Sequence, residues 1–484
     1  MNFDNSYMQL GESFYQQIRP TPVSQPKLLL WNQPLADTLG MAESVQQDNH
    51  LLAQYFSGNK LPEGAESIAL AYAGHQFGHF NPQLGDGRAH LLGEIIDTQN
   101  VRRDIQLKGS GPTHFSRQGD GRCALAPALR EYIMSEAMHA LGVPTTRSLA
   151  VVASGETVYR ERPQPGAIVT RVASSHIRVG TFQYFAARNN MSALEALVDY
   201  SIQRHFAHTD LRDENKILRF MQQVMQRQIN LMVEWMRIGF IHGVMNTDNT
   251  AISGETIDFG PCAMLGVYHP GTVYSSIDRQ GRYAFGNQPL IAQWNMARLA
   301  EALLPLIDRD QQKALKQIEP LVHDFSHQFE QAYFAMLSKK AGLTDANAES
   351  IEMVQHLLTA MQTLELDYTQ TFNRLTDSLK DESIASALQQ QLGDWYQQWR
   401  TKLEQTDDNL EHQSLLMRQY NPLVIPRNHH MEAVLSECID TGSMQAAEQF
   451  LQVLRSPYSP TQYTAQYQDL PADNDRYYQT FCGT

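Results

Sequence analysis

The amino-acid sequence predicts an α+β fold with a small β-rich region, a larger helical region and a helical extension. Three observations lead to this prediction. Glycines and short strand-like runs are dense between residues 73 and 160. A long helical pattern occupies residues 217–238, and helical periodicity returns from 295 to about 403 in a Gln-, Leu- and Ala-rich stretch. The chain of 484 residues exceeds what one compact core usually holds, so we expect several packed regions.

Within the β-rich region, we expect short strands around one helix. The helix is predicted at 126–141, where apolar residues recur at helical spacing and where Gly142 and Pro144 stop the pattern. The strand-like runs are 89–96, 104–109, 149–154 and 167–173.

Changes of composition along the chain suggest domain boundaries. A Pro- and Gly-rich joint is expected at 163–166, and the last eighty residues are expected to be largely irregular. We predict four regions: an N-terminal segment that packs on the core (1–72), the β-rich region (73–164), a second region with a candidate catalytic loop (165–294), and a helical extension with a C-terminal tail (295–484).

Composition excludes several classes of protein. No run of 18 uncharged apolar residues exists, and the N-terminus lacks the pattern of a secretory signal, so we expect no membrane association. The formal net charge of −14 disfavours nucleic-acid binding. Four scattered cysteines without a CxxC pair exclude a Cys-rich zinc site and suit a reducing cytoplasm, where we expect a monomer.

A glycine pair marks the first candidate site. Gly85 and Gly87 stand between two strand-like runs and would let a backbone approach phosphate groups closely. A tight hairpin turn is the alternative, because Asp-Gly is a common turn dipeptide. Arg88 follows directly, and a guanidinium can bind phosphate oxygens with two hydrogen bonds.

A strand lysine and a helix glutamate form the second candidate. Lys108 ends a predicted strand and could carry a point charge for phosphates, or it could be a solvated edge lysine. Glu131 lies off the main apolar stripe of the predicted helix, so it could face the sheet and pair with Lys108. Between them lies a long polar loop with Asp120 and Gly121, which we interpret as facing a nucleotide rather than solvent.

Two arginines follow the next strand-like run. Arg171 and Arg178 are seven residues apart and could converge on a polyphosphate, although each could equally form a surface ion pair.

The stretch HGVMNTDN at 242–249 is the central candidate. Asn249 and Asp258 have the hard oxygen ligands that Mg²⁺ takes, and Asp248 could deprotonate a hydroxyl. Taken alone, an Asp-Asn pair in a loop is usually a turn. The order of glycine loop, strand Lys, helix Glu, loop Asp/Asn and the triplet Asp258-Phe259-Gly260 is, however, the order of a protein kinase. We therefore predict a protein kinase-like two-lobed fold.

The chain also departs from the kinase pattern. Asn249 directly follows Asp248, whereas kinases place it five residues later, and His90 occupies the place of the third glycine. An APE triplet is missing, so an ordinary protein kinase is a poor fit.

These residues resemble the selenoprotein O family of pseudokinase-derived protein AMP transferases. The resemblance covers nearly the whole chain and includes the blocks 72–94, 107–122, 129–152, 170–185, 243–261, 281–295 and 421–434, with FCGT at the end. It implies a kinase-like fold that binds ATP turned end for end, transfers AMP to Ser, Thr or Tyr hydroxyls of proteins, and releases pyrophosphate. Some bacterial members are associated with UMP transfer, so UTP is a further candidate donor.

The resemblance also implies roles for single residues. Asp248 would act as the base, Lys108 and Glu131 would form an ion pair, and Asn249 and Asp258 would bind Mg²⁺ or Mn²⁺. The nucleotide would be held by Gly85, Gly87, Arg88, Lys108, Asp120, Gly121, Arg171, Arg178 and Asp258.

The resemblance further implies redox control through a disulfide. Cys482 stands where eukaryotic members have selenocysteine, and its partner would come from a loop near the catalytic site. Here that loop, at 271–278, contains no cysteine, and Cys262 is the nearby substitute. Whether Cys262 and Cys482 pair stays open at this stage.

Two other functions stay open as well, namely a protein or small-molecule kinase and a nucleotide-binding scaffold without activity. The sequence determines neither the protein targets, nor the choice between AMP and UMP, nor the preferred metal.

Overall fold

The computed structural model describes residues 2–405 and 409–481. Its strands are β1 (Tyr15–Gln17), β2 (Lys27–Trp31), β3 (Ile68–Leu70), β4 (Gly74–Gln76), β5 (His79–Asn81), β6 (Ala89–Ile96), β7 (Arg102–Lys108), β8 (Cys123–Ala124), β9 (Arg147–Tyr159), β10 (Pro163–Ala173), β11 (Phe240–Ile241) and β12 (Ala263–Met264).

The helices lie mostly in the second half of the chain. They are α1 (Gln33–Thr38), α2 (Glu43–Gln46), α3 (Asn49–Ser57), α4 (Leu125–Ala140), α5 (Val179–Ala186), α6 (Met191–His205), α7 (Lys216–Ile238), α8 (Gln288–Ile307), α9 (Gln311–Lys340), α10 (Ala348–Thr363), α11 (Tyr368–Asp377), α12 (Glu382–Leu392), α13 (Asp394–Glu404), α14 (Leu410–Tyr420), α15 (Asn428–Thr441) and α16 (Gln445–Leu454).

One large antiparallel sheet holds most of the strands in the order β1-β3-β6-β7-β10-β9-β2, with β8 beside β10. In this sheet Lys108 pairs with Ala89 on one side and with Val169 on the other. Arg171 pairs with Gln106. Because side chains alternate between faces along a strand, this register places Lys108 and Arg171 on the same face.

Both faces of the sheet are covered, which explains why its strands contain long apolar runs. On the face opposite Lys108, Ile105 and Leu107 pack with Leu52 and Phe56 of α3. On the other face lies α4, which packs on β9 and β10. The segment before residue 73 thus completes the core on one side of the sheet.

The helical part begins with α5–α9, which pack on one another. Gly239 ends α7 with a φ of +78°, a left-handed conformation that glycine adopts at little cost. The chain then passes through β11 into the stretch 242–249. Helices α10–α14 build a second apolar core around Trp399 and Tyr368.

The mixed α and β composition and the antiparallel sheet confirm the coarse fold prediction, and the two predicted helices occur with their starts shifted by one residue. Two local expectations are wrong. The stretch 163–166 is the beginning of β10, which forms a hairpin with β9 and pairs through Gly166 with β8. The strand therefore continues across the expected boundary between residues 164 and 165.

The last eighty residues also differ from the expected irregular structure, because they contain α14, α15 and α16. Of these, α15 and α16 are short helices that pack on α4. The buried residues of these helices, such as Phe450 and Leu454, repeat at helical spacing over only two to four turns. So short a pattern predicts a helix only weakly, because most of the stability of a short helix comes from the surface on which it packs.

Among the described residues, none of the helices is both long enough and apolar enough to cross a membrane.

Candidate functional site

A cleft of about 510 Å³ lies between the large sheet and the loops that follow α7. Glu131, the predicted ion-pair partner, is buried behind Lys108. All of the predicted nucleotide, metal and base residues line the cleft. The residues concerned are Gly85, Gly87, Arg88, Lys108, Asp120, Gly121, Arg171, Arg178, Asp248, Asn249 and Asp258.

Four charged side chains, three of them buried, form a network at the bottom of the cleft. Lys108 Nζ lies 2.7 Å from Glu131 Oε2 and 2.5 Å from Asp258 Oδ1. Arg171 bridges the same two carboxylates, with Nη2 at 2.8 Å from Asp258 Oδ1 and Nε donating to Glu131 Oε1. The shared face of β7 and β10 brings both cations to α4, where Glu131 projects toward the sheet.

The network keeps both carboxylates ionised. Burial by itself would raise the pKa of Glu131, but the charges of Arg171 and Lys108 outweigh burial and lower that pKa. Burial likewise acts to raise the pKa of Asp258. The charges of Lys108, Arg171 and Arg88 outweigh this effect and hold the pKa of Asp258 well below its ordinary value. The cleft thus combines fixed positive and negative charges at one point.

Asp258 reaches this network from a loop, not from the end of a strand. The residues directly before it, 251–257, form only isolated bridges, at Ala251 and Thr256. Asp258 has a φ of +67°, a left-handed conformation that Asp tolerates better than most residues. His242 supports the loop, because its Nε2 lies 2.9 Å from the Ile257 carbonyl oxygen and its ring stacks on Trp235.

Asp248 lies on a single turn of 3-10 helix, Thr247–Asn249. Its Oδ2 accepts a hydrogen bond of 3.2 Å from Gln76 Nε2. Its Oδ1 is shielded from solvent and has no hydrogen-bond partner among the described residues. Burial raises the pKa of Asp248 to about 6, although the charge of Arg178 opposes this effect. A carboxylate with one oxygen held and the other without a partner is suited to accept a proton.

Arg178 connects this turn to the glycine loop. Its Nη1 donates to the backbone oxygen of Asp248 over 2.8 Å, and its Nη2 lies 3.4 Å from Asp86 Oδ1. The guanidinium also lies 4.4 Å from the ring centre of Tyr72. Arg178 and Arg171 are both buried, so neither is a surface ion-pair partner.

The glycine loop is not the hairpin turn that was the alternative, because β5 and β6, which it joins, belong to different sheets. Its backbone runs beside residues 70–72, with Leu84 N donating to Tyr72 O over 2.9 Å. Gly85 has a φ of +100°, and a Cβ there would lie 2.3 Å from the ring of Phe115. This position therefore requires glycine, and the two loops of the cleft close on each other there.

The long loop after β7 brings Asp120 and Gly121 to the mouth of the cleft. Asp120 forms two hydrogen bonds with Arg160, of 2.8 and 3.0 Å, and these bonds lower the pKa of Asp120. Arg160 comes from the turn between β9 and β10 and also lines the cleft.

Sequence reasoning missed several side chains that line the cleft or hold its residues. Gln76 contacts Asp248 although 172 residues separate them, and Asp86 contacts Arg178 over 92 residues. Tyr72 and Arg160 were also missed, because they too lie far along the chain from the residues that they contact. For Asp86, its place between Gly85 and Gly87 was a usable signal. For the others, no local pattern points to the cleft, since the contacts arise only when distant segments meet.

The donor set fits a small divalent cation. Asn249 Nδ2 donates to the Val244 carbonyl over 3.1 Å, which leaves the amide oxygen for another partner. Asp258 uses Oδ1 for both cations, and no described residue hydrogen-bonds to its other oxygen. The Asp258 side chain is 28% exposed, so a ligand can reach it. One carboxylate and one amide oxygen match the few protein ligands that Mg²⁺ takes beside phosphates.

The candidate redox pair can be described only in part. Cys262 is buried, and burial raises the pKa of its thiol to about 12. Cys482 lies outside the described residues, so its pairing with Cys262 stays a prediction. The described tail does approach this region, because Thr480 Oγ1 donates to the Pro261 carbonyl over 2.8 Å.

Comparison with known proteins gives consistent results. Residues 1–455 match the family described as protein adenylyltransferase SelO. Three similar proteins carry the name protein nucleotidyltransferase YdiU. The one from Teredinibacter turnerae is 53% identical and the one from Pseudoalteromonas translucida 51% identical, each over the full length of both chains. The one from Bacillus mycoides is 49% identical over all of this chain and 98% of its own.

Proposed function

Because the chain belongs to the SelO family of protein adenylyltransferases, we propose that it transfers AMP from ATP to a Ser, Thr or Tyr hydroxyl of a protein. Pyrophosphate is the second product. One observation carries this proposal: Asp248 Oδ1, which forms no hydrogen bond with any described residue, lies in the same cleft as the network of Lys108, Arg171 and Asp258. A base and a set of cations for phosphates are the two parts that such a transfer requires.

In this proposal, the cations of the cleft bind the triphosphate. Lys108 and Arg171 are held at the bottom by Glu131, and Arg178 and Arg88 line the wall. Fixed positive groups stabilise the negative charge that develops on the departing pyrophosphate, and they need no rearrangement at the moment of reaction. The close approach of the glycine loop to Phe115 supports a narrow binding site for a nucleotide.

Asp248 is the proposed base. Its Oδ1 accepts the proton of the attacking hydroxyl, while Gln76 holds Oδ2 and Arg178 holds the backbone oxygen. The hydroxyl oxygen forms a bond to the α-phosphorus, and the bond between this phosphorus and the oxygen that leads to the β-phosphorus breaks. The leaving pyrophosphate takes the electron pair of that bond.

We propose that Asn249 and Asp258 hold a divalent ion, Mg²⁺ or Mn²⁺, through the side-chain oxygens that accept no hydrogen bond from a described residue. When bound, such an ion would neutralise phosphate charge and fix the orientation of the nucleotide. Lys108 and Arg171 would then keep Asp258 ionised and oriented as a ligand.

The proposed fold is that of a protein kinase in two lobes, with the large sheet and α4 in the smaller lobe and α5–α9 in the larger one. A strand lysine paired with a helix glutamate is the arrangement by which kinases orient their lysine. We propose that the nucleotide is turned relative to a kinase, so that its α-phosphate faces Asp248. UTP is a second donor to be tested beside ATP.

We also propose a cytoplasmic monomer. Among the described residues, Cys123, Cys262 and Cys438 are buried and form no disulfide with one another, which suits a reducing compartment. Size-exclusion chromatography with light scattering should give the mass of one chain. A mass of about two chains would contradict the proposed monomer.

The decisive experiment uses ATP labelled at the α- or the γ-phosphate. The purified chain is incubated with a mixture of candidate proteins and Mg²⁺ or Mn²⁺, and label bound to protein is measured together with intact mass. We expect α-label and a mass increase of one AMP. The Asp248→Asn variant should lose this label, while Asp210→Asn, at an exposed surface aspartate paired with Arg212, should keep it.

Three outcomes would contradict the proposal. Incorporation of γ-label with a phosphate-sized mass increase would indicate a kinase. Binding of ATP without any label on protein would indicate a scaffold. Equal labelling by the Asp248→Asn variant would remove Asp248 as the base.

A further inference from the structure

Two histidines and an aspartate converge on the surface of the C-terminal part, and none of them lines the cleft. His429 and His430 lie in the first turn of α15, and Asp469 lies in the tail that follows α16. One nitrogen or oxygen of each residue lies within 4.8 Å of those of the other two. His430 Nε2 is 2.5 Å from Asp469 Oδ1, and His429 Nε2 is 3.7 Å from the same oxygen.

His429 has unsatisfied ring nitrogens. Both Nδ1 and Nε2 are shielded from solvent, and neither has a hydrogen-bond partner among the described residues. A neutral imidazole carries one N–H donor and one lone pair, and leaving both without partners in a shielded position costs free energy. An ion bound by one of these nitrogens would satisfy the lone pair.

The neighbouring rings are already oriented. The centres of the His429 and His430 rings are 4.0 Å apart, with an angle of 38° between their planes. The His430 ring also meets Tyr467 edge to face at 5.1 Å. These contacts limit the motion of the imidazoles, so that both present nitrogen atoms to Asp469. Side chains fixed by their surroundings in this way bind ions with a smaller loss of entropy.

The two distances to Asp469 Oδ1 are close to those between the ligands of a small tetrahedral ion. With bonds of about 2.0–2.1 Å, ligand atoms around Zn²⁺ lie roughly 3.3 Å apart. The two observed distances to Asp469 Oδ1, 2.5 and 3.7 Å, lie on either side of this value. The Asp469 side chain is 62% exposed, so it can adjust its position and the site is open to solvent.

We propose that His429, His430 and Asp469 bind a divalent transition-metal ion of the zinc class, with water as the fourth ligand. Two imidazoles and one carboxylate are a common protein ligand set for Zn²⁺. Mg²⁺ prefers oxygen ligands and an octahedral shell, so it binds this site poorly. The site is therefore chemically distinct from the oxygen donors Asn249 and Asp258.

The ion would join α15 to the C-terminal tail. The same helix already holds the tail through Asn428, whose Nδ2 donates to Asp475 Oδ2 over 3.0 Å. Asn428 also forms two hydrogen bonds of 2.8 Å with the backbone of Met264. Its Oδ1 accepts from the Met264 nitrogen, and its Nδ2 donates to the Met264 oxygen. Binding at His429, His430 and Asp469 would thus fix the tail beside the segment that follows Asp258. This inference does not depend on the proposed transfer of AMP.

The test uses the full chain after dialysis against EDTA and then against metal-free buffer. Zn²⁺ is titrated in by calorimetry in the presence of excess Mg²⁺, and thermal unfolding and hydrogen exchange of residues 464–480 are measured with and without Zn²⁺. We expect one equivalent with a dissociation constant below roughly 1 µM, a higher Tm, and slower exchange in the tail. His430→Gln and Asp469→Asn should each weaken this binding at least about 10-fold.

His323→Gln is the matched control, since His323 is an exposed histidine that lies 3.4 Å from a carboxylate of Glu319. Within the described part of the chain, no third metal-ligating side chain joins this pair. It should leave the binding of Zn²⁺ unchanged. Unaltered binding in both His430→Gln and Asp469→Asn would overturn the proposal, as would affinity no better than millimolar in the parent chain. In the latter case, the cluster would be an ion pair between histidine and aspartate only. None of these measurements depends on the transfer of AMP. If the chain transferred no AMP, the test of the zinc site would still be valid.

Discussion

Lys108 and Asp258 are 150 residues apart in the chain, and their side chains meet with Nζ 2.5 Å from Oδ1. This contact joins the large sheet to the loop that follows the proposed catalytic turn. It also places a cation on one oxygen of the carboxylate that is the proposed metal ligand. Arg171 Nη2, from a neighbouring strand of the same sheet, donates to the same oxygen over 2.8 Å, so two hydrogen bonds couple the two parts of the cleft.

Replacing Lys108 by Ala should reduce turnover far more than stability. We expect the rate at saturating ATP to fall about 100- to 1000-fold, because a fixed positive group beside the phosphates is lost. The chain should stay folded at the assay temperature, since Arg171 still bridges Glu131 and Asp258. Turnover and thermal unfolding are measured together. Lys216→Ala, which removes an ion pair with Asp199 outside the cleft, is the control. A loss of turnover that only follows the unfolded fraction would point to a structural role.

Replacing Asp258 by Ala should remove the effect of divalent ions on nucleotide binding. Calorimetry of ATP with and without Mg²⁺ or Mn²⁺ measures this effect directly. We expect the parent chain to bind ATP more tightly with the ion and the variant to show no such difference. Asp377→Ala, at an aspartate that pairs with Arg418, should behave like the parent. If the variant kept its metal-dependent affinity, Asp258 would not be a ligand.

Replacing Asp248 by Asn should abolish transfer without abolishing binding. The amide has the same shape as the carboxylate but cannot take a proton from a hydroxyl, and a lost general base costs about 100- to 10,000-fold in rate. ATP affinity, measured by calorimetry, should change little, because Asp248 contacts Gln76 and Arg178 rather than the cations at the bottom of the cleft. Strongly weakened ATP binding would contradict a role confined to the base.

Replacing Gln76 by Leu tests whether this residue positions the base. The substitution removes the donor to Asp248 Oδ2 and leaves the backbone bond of neighbouring His75 to Thr247 in place. A hydrogen bond to a charged group contributes about 1.5–3 kcal/mol, so we expect kcat to fall roughly 10- to 100-fold. KM for ATP should not change. A raised KM with an unchanged kcat would instead assign Gln76 to nucleotide binding.

His205 should make stability depend on pH. Its Nε2 lies 2.7 Å from Ser175 Oγ, and burial, with the charges of Arg204 and Arg227, lowers the pKa of His205 to about 3. Between pH 6.5 and 3, the unfolded chain therefore binds one more proton at this residue. Its contribution to stability is complete above pH 6.5 and declines as pH falls, by up to about 1.4 kcal/mol per pH unit.

Urea unfolding of the parent chain and of His205→Gln at pH 7, 6 and 5 measures this contribution. The variant should show a smaller decline of unfolding free energy than the parent over this range. The same decline in both proteins would mean that His205 is not the titrating group.

Much of the local structure was predictable because it depends on near neighbours in the chain. The helices α4 and α7 and the strand β6 have periodic apolar residues and clear stop signals, so their bounds were predicted within about one residue. The cleft residues could be chosen because several rare residue types follow one another in one order. By contrast, 163–166 looked like a joint because Pro and Gly usually interrupt strands. Here Gly166 meets β8 at an irregular point of the hairpin, where a strand tolerates it.

The sequence by itself determined the family, the mixed α and β composition, and the residue types for the cleft, since all of these follow from local patterns and their order. The tertiary structure decided which side chains touch. It placed Lys108 and Arg171 on the same two carboxylates and brought Gln76 to Asp248. It also placed His429 beside Asp469 with no hydrogen bond from a described residue to either ring nitrogen. The physical reason is that these contacts depend on strand register and on the paths of loops between segments far apart in the chain. Neither leaves a periodic trace in the amino-acid sequence.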